Sequence, residues 1–234
     1  MMRIHIITVF PEYFESPLRL GILRVAQEKE LVKINTINLR DFADDSYRTV
    51  DDYPFGGGSG MILKPEPIFK ATESVREKDS YVILLSPKGR LFTQECALEL
   101  SAKPHLIFIC GRYKDVDERV REHLIDDEIS IGDYILAGGE AAALVILEAV
   151  IRLLEGAVGN KESVATDSFM QGLLDAPYYT RPQDFRGFKV PEVLLSGNHQ
   201  KIAEWRKTQA LKLTKERRPD LYEKFLKSKG GIDG

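Results

Sequence analysis

Ile131-Gly-Asp-Tyr-Ile-Leu-Ala-Gly-Gly-Glu140 is the stretch around which the rest of this chain is organised. It reads as a short strand that breaks at Gly138-Gly139 and opens directly into the most apolar helix of the sequence, Ala141 to Leu154. Glu148 and Arg152, with Glu155 just beyond its end, are the only charges there. Their i, i+4, i+7 spacing places them on one stripe, so the other faces of the helix are expected to be buried. Glycines at a strand-to-helix turn let a backbone approach a ligand closely. A plain tight turn would use the same residues, and their surroundings decide between the two.

Upstream of this stretch, strand signals alternate with helical ones. Arg3 to Phe10 is a β-branched run closed by Pro11, and Val32 to Leu39, Tyr81 to Ser86 and His105 to Cys110 read the same way. Between them lie helical spacings over Leu18 to Ala26, Glu66 to Glu77 and Thr93 to Ala102, with Thr93 as an N-cap, and a charged helix over Asp115 to Leu124. Such alternation predicts an α/β layered fold with a mostly parallel sheet. Ligands gather at the carboxyl ends of the strands in such sheets. Ser86-Pro87, Gly111-Arg-Tyr113 and Ile131 to Gly139 are all expected at that edge.

Downstream, the composition changes. Gly156 to Ser168 is small and polar and reads as a linker, Tyr178 to Pro182 as extended chain, and Val190 to Gly197 as an apolar connection. Asn198 is placed to cap a helix running to about Arg218, where Pro219 stops it, and Leu221 to Lys227 makes a last helix. A small, mainly helical second domain follows from this reading.

The 234 residues suit one large domain with a small appendage, and 43% hydrophobic with 29% charged residues describes an ordinary globular protein. No apolar run approaches the ~20 residues of a membrane span, and no secretory leader precedes the first strand. No membrane association and a cytoplasmic address are therefore expected. Cys96 and Cys110 lack metal-like spacing and sit in apolar contexts, which predicts reduced core residues. The net charge of −3 is unevenly spread: His199 to Lys229 carries +6, leaving −9 elsewhere. A basic tail segment on an acidic body suggests a polyanion partner, and a solvated helical surface is the competing reading.

Gly56-Gly-Gly-Ser-Gly60 fails the phosphate-loop pattern, because the next lysine is Lys64, and the chain has no Gly-x-Gly-x-x-Gly. A mobile loop over a substrate, or a flexible turn, fits better. A ligand without phosphates, held by backbone amides at glycine-rich loops, is the expectation for the sheet edge.

Taken in order, the segments Phe10-Pro-Glu12, Arg48-Thr-Val-Asp-Asp52, Gly56-Gly-Gly58, Leu85-Ser-Pro87, Cys110-Gly-Arg-Tyr113, Asp117-Glu-Arg-Val120, Ser130-Ile-Gly-Asp-Tyr134, Gly138-Gly-Glu140, Asp167-Ser-Phe169, Gly172-Leu-Leu-Asp175, Tyr179-Thr-Arg-Pro182 and Leu194-Leu-Ser-Gly-Asn-His199 resemble the bacterial tRNA (guanine-N1)-methyltransferase family. Each is weak alone; the ordered set is specific and spans nearly the whole chain. Two positions depart from the family pattern: Lys114 stands where Glu is typical, the residue associated with holding the target guanine, and Asp115 where Gly is usual. Tyr47 and Ser59 replace His and Pro in the substrate-side loops.

The resemblance implies methyl transfer from S-adenosylmethionine to N1 of guanosine 37 of tRNA. It implies a knotted methyltransferase domain over 1–158, a linker over 159–172 and a helical tRNA-binding domain over 173–234. It also implies a homodimer with active sites at the subunit interface. Asp167 would be the general base and Arg152 its cationic partner. The cofactor would lie on Leu85, Ser86, Pro87, Gly111, Tyr113, Ile131, Gly132, Asp133, Tyr134, Ile135, Leu136, Gly138 and Gly139. The family also suggests magnesium, with no metal ligand assigned. A related knotted methyltransferase for another RNA base, or a non-catalytic RNA-binding protein, remain alternatives at this stage.

Overall fold

The computed structural model describes residues 1–159 and 161–230. Contacts divide the chain into two compact units, Met1–Gly159 and Asn160–Gly234.

The first unit opens with β1 (Met2–Thr8), two short 3-10 turns over Pro11–Phe14 and Pro17–Arg19, α1 (Gly21–Glu28) and β2 (Val32–Asn38). After β3 (Asp51–Asp52) and β4 (Ile62–Leu63) come α2 (Pro65–Glu73), β5 (Ser80–Leu91), α3 (Gln94–Ser101) and β6 (His105–Cys110). β7 (Asp115–Val116), α4 (Glu118–His123), β8 (Asp127–Ser130) and α5 (Glu140–Ile151) complete it. The main sheet has the order β2-β1-β6-β5-β8, and every pairing in it is parallel. A second, three-stranded sheet joins β3, β4 and β7.

β6 shows why this layering forms. All six of its residues are buried, as an apolar run with neighbours on both faces requires. Leu106, Phe108 and Cys110 join a core with Leu23 and Ala26 of α1, Ala97 and Leu100 of α3, and Ile146 and Val150 of α5. Ile107 and Ile109 point the other way, into a core with Ile68 and Ala71 of α2 and Val120 of α4. The two-residue strand period thus divides the helices between the two faces. Val145 remains on the exposed stripe of α5 with Glu148 and Arg152.

At the amino ends of the strands the sheet encloses a polar chain. Asn35 Nδ2 lies 3.4 Å from His5 Nε2, His5 Nδ1 lies 2.8 Å from His105 Nε2, and His105 Nδ1 lies 2.8 Å from Ser80 Oγ. The facing ring nitrogens share one proton. Burial, and then the neighbouring His105 and Arg3 charges, lower the His5 pKa; burial and then Arg3 lower that of His105.

Several expectations shift by one to four residues at their ends, and three change in kind. β5 does not stop at Ser86: it leaves its ladder with β8 after Leu85, rejoins at Arg90 and runs to Leu91. The run expected as one helix from Asp115 begins as β7, because Asp115-Val116 pairs with Ile62-Leu63 of β4. The short strand expected at the start of Ile131 to Leu136 does not form. The β5–β8 ladder ends at Leu91–Ser130, and no strand lies alongside the residues that follow. Cys96 and Cys110 are free and buried, and burial pushes both thiols up.

The second unit contains α6 (Lys161–Thr166) inside the stretch read as a linker, a two-stranded ribbon of β9 (Asp184–Phe185) and β10 (Phe188–Lys189), and α7 (Glu192–Leu195). Residue 160 of that stretch lies outside the described residues. α8 (His199–Arg217) starts where Asn198 Oδ1 accepts from the Lys201 N–H at 3.1 Å. Pro219 does more than stop it. It opens α9 (Pro219–Gly230), at a first-turn position where a missing N–H costs nothing. Among the described residues, no helix is long and apolar enough to cross a membrane.

Candidate active site

Three loops meet at the carboxyl edge of the main sheet. The first is the detour of β5, where Ser86 to Gly89 leave the ladder. A Cβ at Gly89 would meet the Glu128 backbone at 2.3 Å, so a glycine is required for the detour to lie on β8. The second is Gly111 to Lys114, beyond β6. The third is the bend from Ile131 to Gly139, fastened at its start by Ser130 Oγ, which donates to the Gly132 carbonyl at 3.1 Å, and by the Tyr134 N–H, which donates to the same carbonyl at 2.9 Å.

The second and third loops are laced together. Arg112 and Gly138 form an isolated antiparallel bridge, and the Gly139 N–H donates to the Gly111 carbonyl at 2.8 Å. A Cβ at Gly139 would stand 2.8 Å from Cys110 Cα and 3.2 Å from Leu85 Cβ, so only glycine lets the chain pass between the ends of β5 and β6.

Below this lacing lies a charged pair. Glu140, the first residue of α5, is 1% exposed. Thr8 Oγ1 donates to its Oε1 at 2.8 Å and Arg112 Nη1 to its Oε2 at 3.0 Å, while the Arg112 guanidinium lies 4.2 Å from the centre of the Phe10 ring. A buried carboxylate is tolerable there because it is paired, hydrogen-bonded and at a helix N-terminus. It ties the end of β1 to both glycine loops.

The departure at 115 has a structural counterpart. Asp115 receives Lys88 Nζ at 2.7 Å and also pairs with Arg121, whose Nε donates to Glu128 at 2.8 Å. Burial raises the Asp115 pKa, but the hydrogen bonds from Arg121 and Lys88 outweigh it and hold the carboxyl below its usual range. Asp115 thus ties the β5 detour to β7 and α4 by charge. Lys114 donates its backbone N–H to the Met61 carbonyl at 3.0 Å and rests its side chain near Gly60, at the end of the glycine loop.

One pocket opens among the three loops. It is lined by Leu85, Ser86, Pro87, Gly111, Tyr113, Ile131, Gly132, Tyr134, Ile135, Leu136, Gly138 and Gly139, all named from the sequence. Asp133 lies in the same bend but is exposed and outside the lining. Lys88, Arg112, Lys114, Asp115, Ile129, Ser130, Ala137 and Ala142 also line it and were not named. Adjacency to Ser86-Pro87 and Gly111-Arg-Tyr113 was the available signal for the cations. Tyr113 holds a φ of +59°, a conformation rare without glycine and common where surroundings over-determine the backbone.

Tyr134, Ile135 and Leu136 are exposed, Ile135 at 81%. Apolar side chains on a bent backbone, beside glycines whose Cβ space is already filled, fit a flat heterocycle such as the adenine ring of S-adenosylmethionine. Among the described residues, no group of three or more His, Cys, Asp or Glu could hold a metal ion.

Arg152 caps the end of α5 and is exposed. Asp167 follows α6 in the second unit, half-buried, in a turn where its carbonyl accepts from the Met170 N–H at 3.2 Å. The two fall in different units.

A parallel α/β sheet with a glycine-walled pocket at its carboxyl edge defines a ligand- or cofactor-binding enzyme of the layered class. The model of the family described as tRNA (Guanine-1)-methyltransferase TrmD matches residues 2–224. The tRNA (guanine-N(1)-)-methyltransferase of Dictyoglomus turgidum is 58% identical over 224 residues, covering 96% of this chain and 91% of that protein. Those of Anoxybacillus flavithermus, at 54%, and Carboxydothermus hydrogenoformans, at 56%, cover 96% and 95% of this chain and 93% and 88% of their own lengths. The chain belongs to the tRNA (guanine-N1)-methyltransferase family.

Proposed function

We propose that this chain transfers a methyl group from S-adenosylmethionine to N1 of guanosine 37 in tRNA, with Asp167 as general base. The observation that carries this reading is the pocket at the sheet edge, in a chain whose whole length matches one family of tRNA methyltransferases. The pocket residues named from the sequence, Asp133 included as part of the same bend, are the proposed cofactor contacts.

S-adenosylmethionine, bound there, supplies a methyl group already activated on a sulfonium. The glycine loops then act by alignment, holding donor and acceptor in line. Guanine N1 carries a proton and is a poor nucleophile until that proton leaves. Asp167 takes it, a contribution on the order of 10²–10⁴-fold. Negative charge moves toward O6 as the proton departs, and the Arg152 guanidinium stabilises it. The target base must swing out of its stack to be reached. Magnesium, if it takes part, binds mainly through substrate oxygens, and no step is assigned to it.

We further propose that residues 1–158 form the methyltransferase domain, 159–172 a linker carrying the base, and 173–234 the tRNA-binding domain of a cytoplasmic homodimer. The chain is proposed to be knotted. Its support is the passage of Gly138-Gly139 between the ends of β5 and β6 after β8 has paired at the sheet edge. In the dimer each active site takes its pocket from one subunit and its aspartate from the other.

Labelled methyl transfer to tRNA transcripts differing only at position 37 tests the function. Transfer to the guanosine transcript alone is expected, and equal transfer to all transcripts would overturn the assignment. The composite site is tested by mixing Asp167→Ala with a pocket variant at an exposed lining residue, Ile135→Asp, each expected to be inactive, and letting subunits exchange. Random exchange makes about half heterodimers with one good site in two, so roughly a quarter of wild-type activity should return. Recovery near zero after confirmed exchange would place base and pocket in one chain.

A further inference from the structure

The second unit contains a pocket that the methyl-transfer reading does not use. It lies between the extended segment from Pro177 to Gln183 and α8, with Tyr178, Tyr179, Arg181 and Arg206 among its lining residues. Two arginines and no carboxylate line it, which makes it electropositive. The spacing of Ile202 and Arg206, one turn apart on α8, puts an apolar and a cationic side chain on the same wall.

Its aromatic rings are exposed yet held in place. Tyr178 is 66% exposed, and its hydroxyl donates to Asp175, whose other oxygen accepts from the Ala176 N–H at 2.6 Å. The Arg206 guanidinium lies 5.9 Å from the Tyr178 ring centre. Tyr179 is half exposed, with Trp205 behind it at 6.4 Å between ring centres. The β9–β10 ribbon begins at the same rim: the Val190 N–H donates to the Gln183 carbonyl at 2.9 Å, and both residues line the pocket. Phe185 and Phe188 face each other across that ribbon, both exposed, with Arg186 over the Phe185 ring.

Exposed rings with little freedom, interleaved with guanidinium groups, have the chemistry that unstacked nucleotides require. A base stacks on the ring face while the cation meets its phosphate. A protein partner would have to bring a carboxylate to each of the two arginines that line the cleft. A polyanion gains from both.

We propose that this pocket takes an unstacked nucleotide of the RNA substrate other than the guanosine that accepts the methyl group, with its base on Tyr178 and its phosphate at Arg206. The inference rests on the tRNA reading above. It adds a second point of contact in the second unit, whose lining shares no residue with the cofactor pocket.

The test uses the full-length protein and a tRNA transcript that the wild type methylates. Tyr178→Ala should weaken tRNA binding roughly 5- to 100-fold, as loss of one stacked base does, with the salt dependence unchanged. Tyr178→Phe, which keeps the ring, should stay within about threefold of wild type. Arg206→Ala should weaken binding and lower the slope of log affinity against log salt by about one. S-adenosylmethionine affinity and the far-ultraviolet circular dichroism spectrum should be unchanged throughout, which separates a lost contact from misfolding. If Tyr178→Ala and Arg206→Ala both bind tRNA within twofold of wild type, the pocket inference falls while the tRNA reading stands. A wild-type protein that neither binds nor methylates tRNA would overturn the tRNA reading itself.

Discussion

The two units hold their shapes by different means. The first has buried apolar side chains on both faces of its sheet, with Ile4, Phe108 and Ile146 on one and Ile107, Ile109 and Val120 on the other. In the second, among the described residues, only Ala176 and Thr214 are buried. Its order comes from local hydrogen bonds: Asn198 caps α8, and Thr214 accepts from the Leu174 N–H at 2.9 Å while donating to the Ala210 carbonyl at 2.7 Å. A unit built this way leaves its aromatic and basic side chains in water. The contrast teaches where precision is stored. A pocket that must align two reacting atoms sits on a dense core, and a surface that must fit a polyanion does not need one.

The largest effect expected is on turnover, from a residue in the less buried unit. Asp167→Asn should lower turnover by roughly 10²-fold or more, with S-adenosylmethionine affinity nearly unchanged by calorimetry. An active variant would remove the base from that unit and end the division of labour.

Stability effects should then follow burial. Phe108→Ala, in the central strand, should cost about 3–5 kcal/mol in denaturant unfolding. Glu140→Gln unpairs Arg112, and because that guanidinium is partly exposed the cost should be smaller, about 2–3 kcal/mol. It should also loosen cofactor binding, since the pair ties both glycine loops. A Glu140→Gln protein as stable and as tightly binding as wild type would show that glycine packing alone sets the pocket.

In the second unit, Thr214→Val leaves the Leu174 N–H without its acceptor and should cost about 1–2 kcal/mol. Hydrogen exchange should report the loss in α8 and its surroundings and spare β6. Loss of protection in both units alike would mean that they unfold as one body.

A last effect is a pH slope. His5 and His105 have lowered pKa values in the fold, so the unfolded chain binds more protons below about pH 6.5. Stability should therefore be full at pH 7 and fall as pH drops through that value, by at most about 1.4 kcal/mol per pH unit for each imidazole. His5→Asn should flatten the slope of melting temperature against pH between 7 and 5. An unchanged slope would assign it to other groups.

How much of this was legible in the chain depends on the range of the interaction. β6 was read to the residue, and Thr93 and Asn198 cap their helices as expected, because an apolar run and a cap depend only on near neighbours. β3, β4 and β7 were missed, since Asp51-Asp52 and Asp115-Val116 have no strand pattern of their own and extend only by pairing with Ile62-Leu63. The bend at Ile131 to Leu136 was misread as a strand for the converse reason. Ile131, Tyr134 and Ile135 favour β structure, but β5 ends beside Ser130 and leaves them nothing to pair with.

The glycines divide along the same line. Sequence determined that Gly138-Gly139 marks the entry to a helix, and the ordered set of segments determined the family. Only the tertiary structure decided why glycine is needed at 139, because the atoms that exclude a Cβ belong to Cys110 and Leu85, far away in the chain. It also decided that Glu140 is a buried tie rather than a solvated first-turn acid, since Thr8 and Arg112 come from two other strand ends. Local preferences select elements from neighbouring residues, whereas close approach and charge burial depend on groups that only folding brings together.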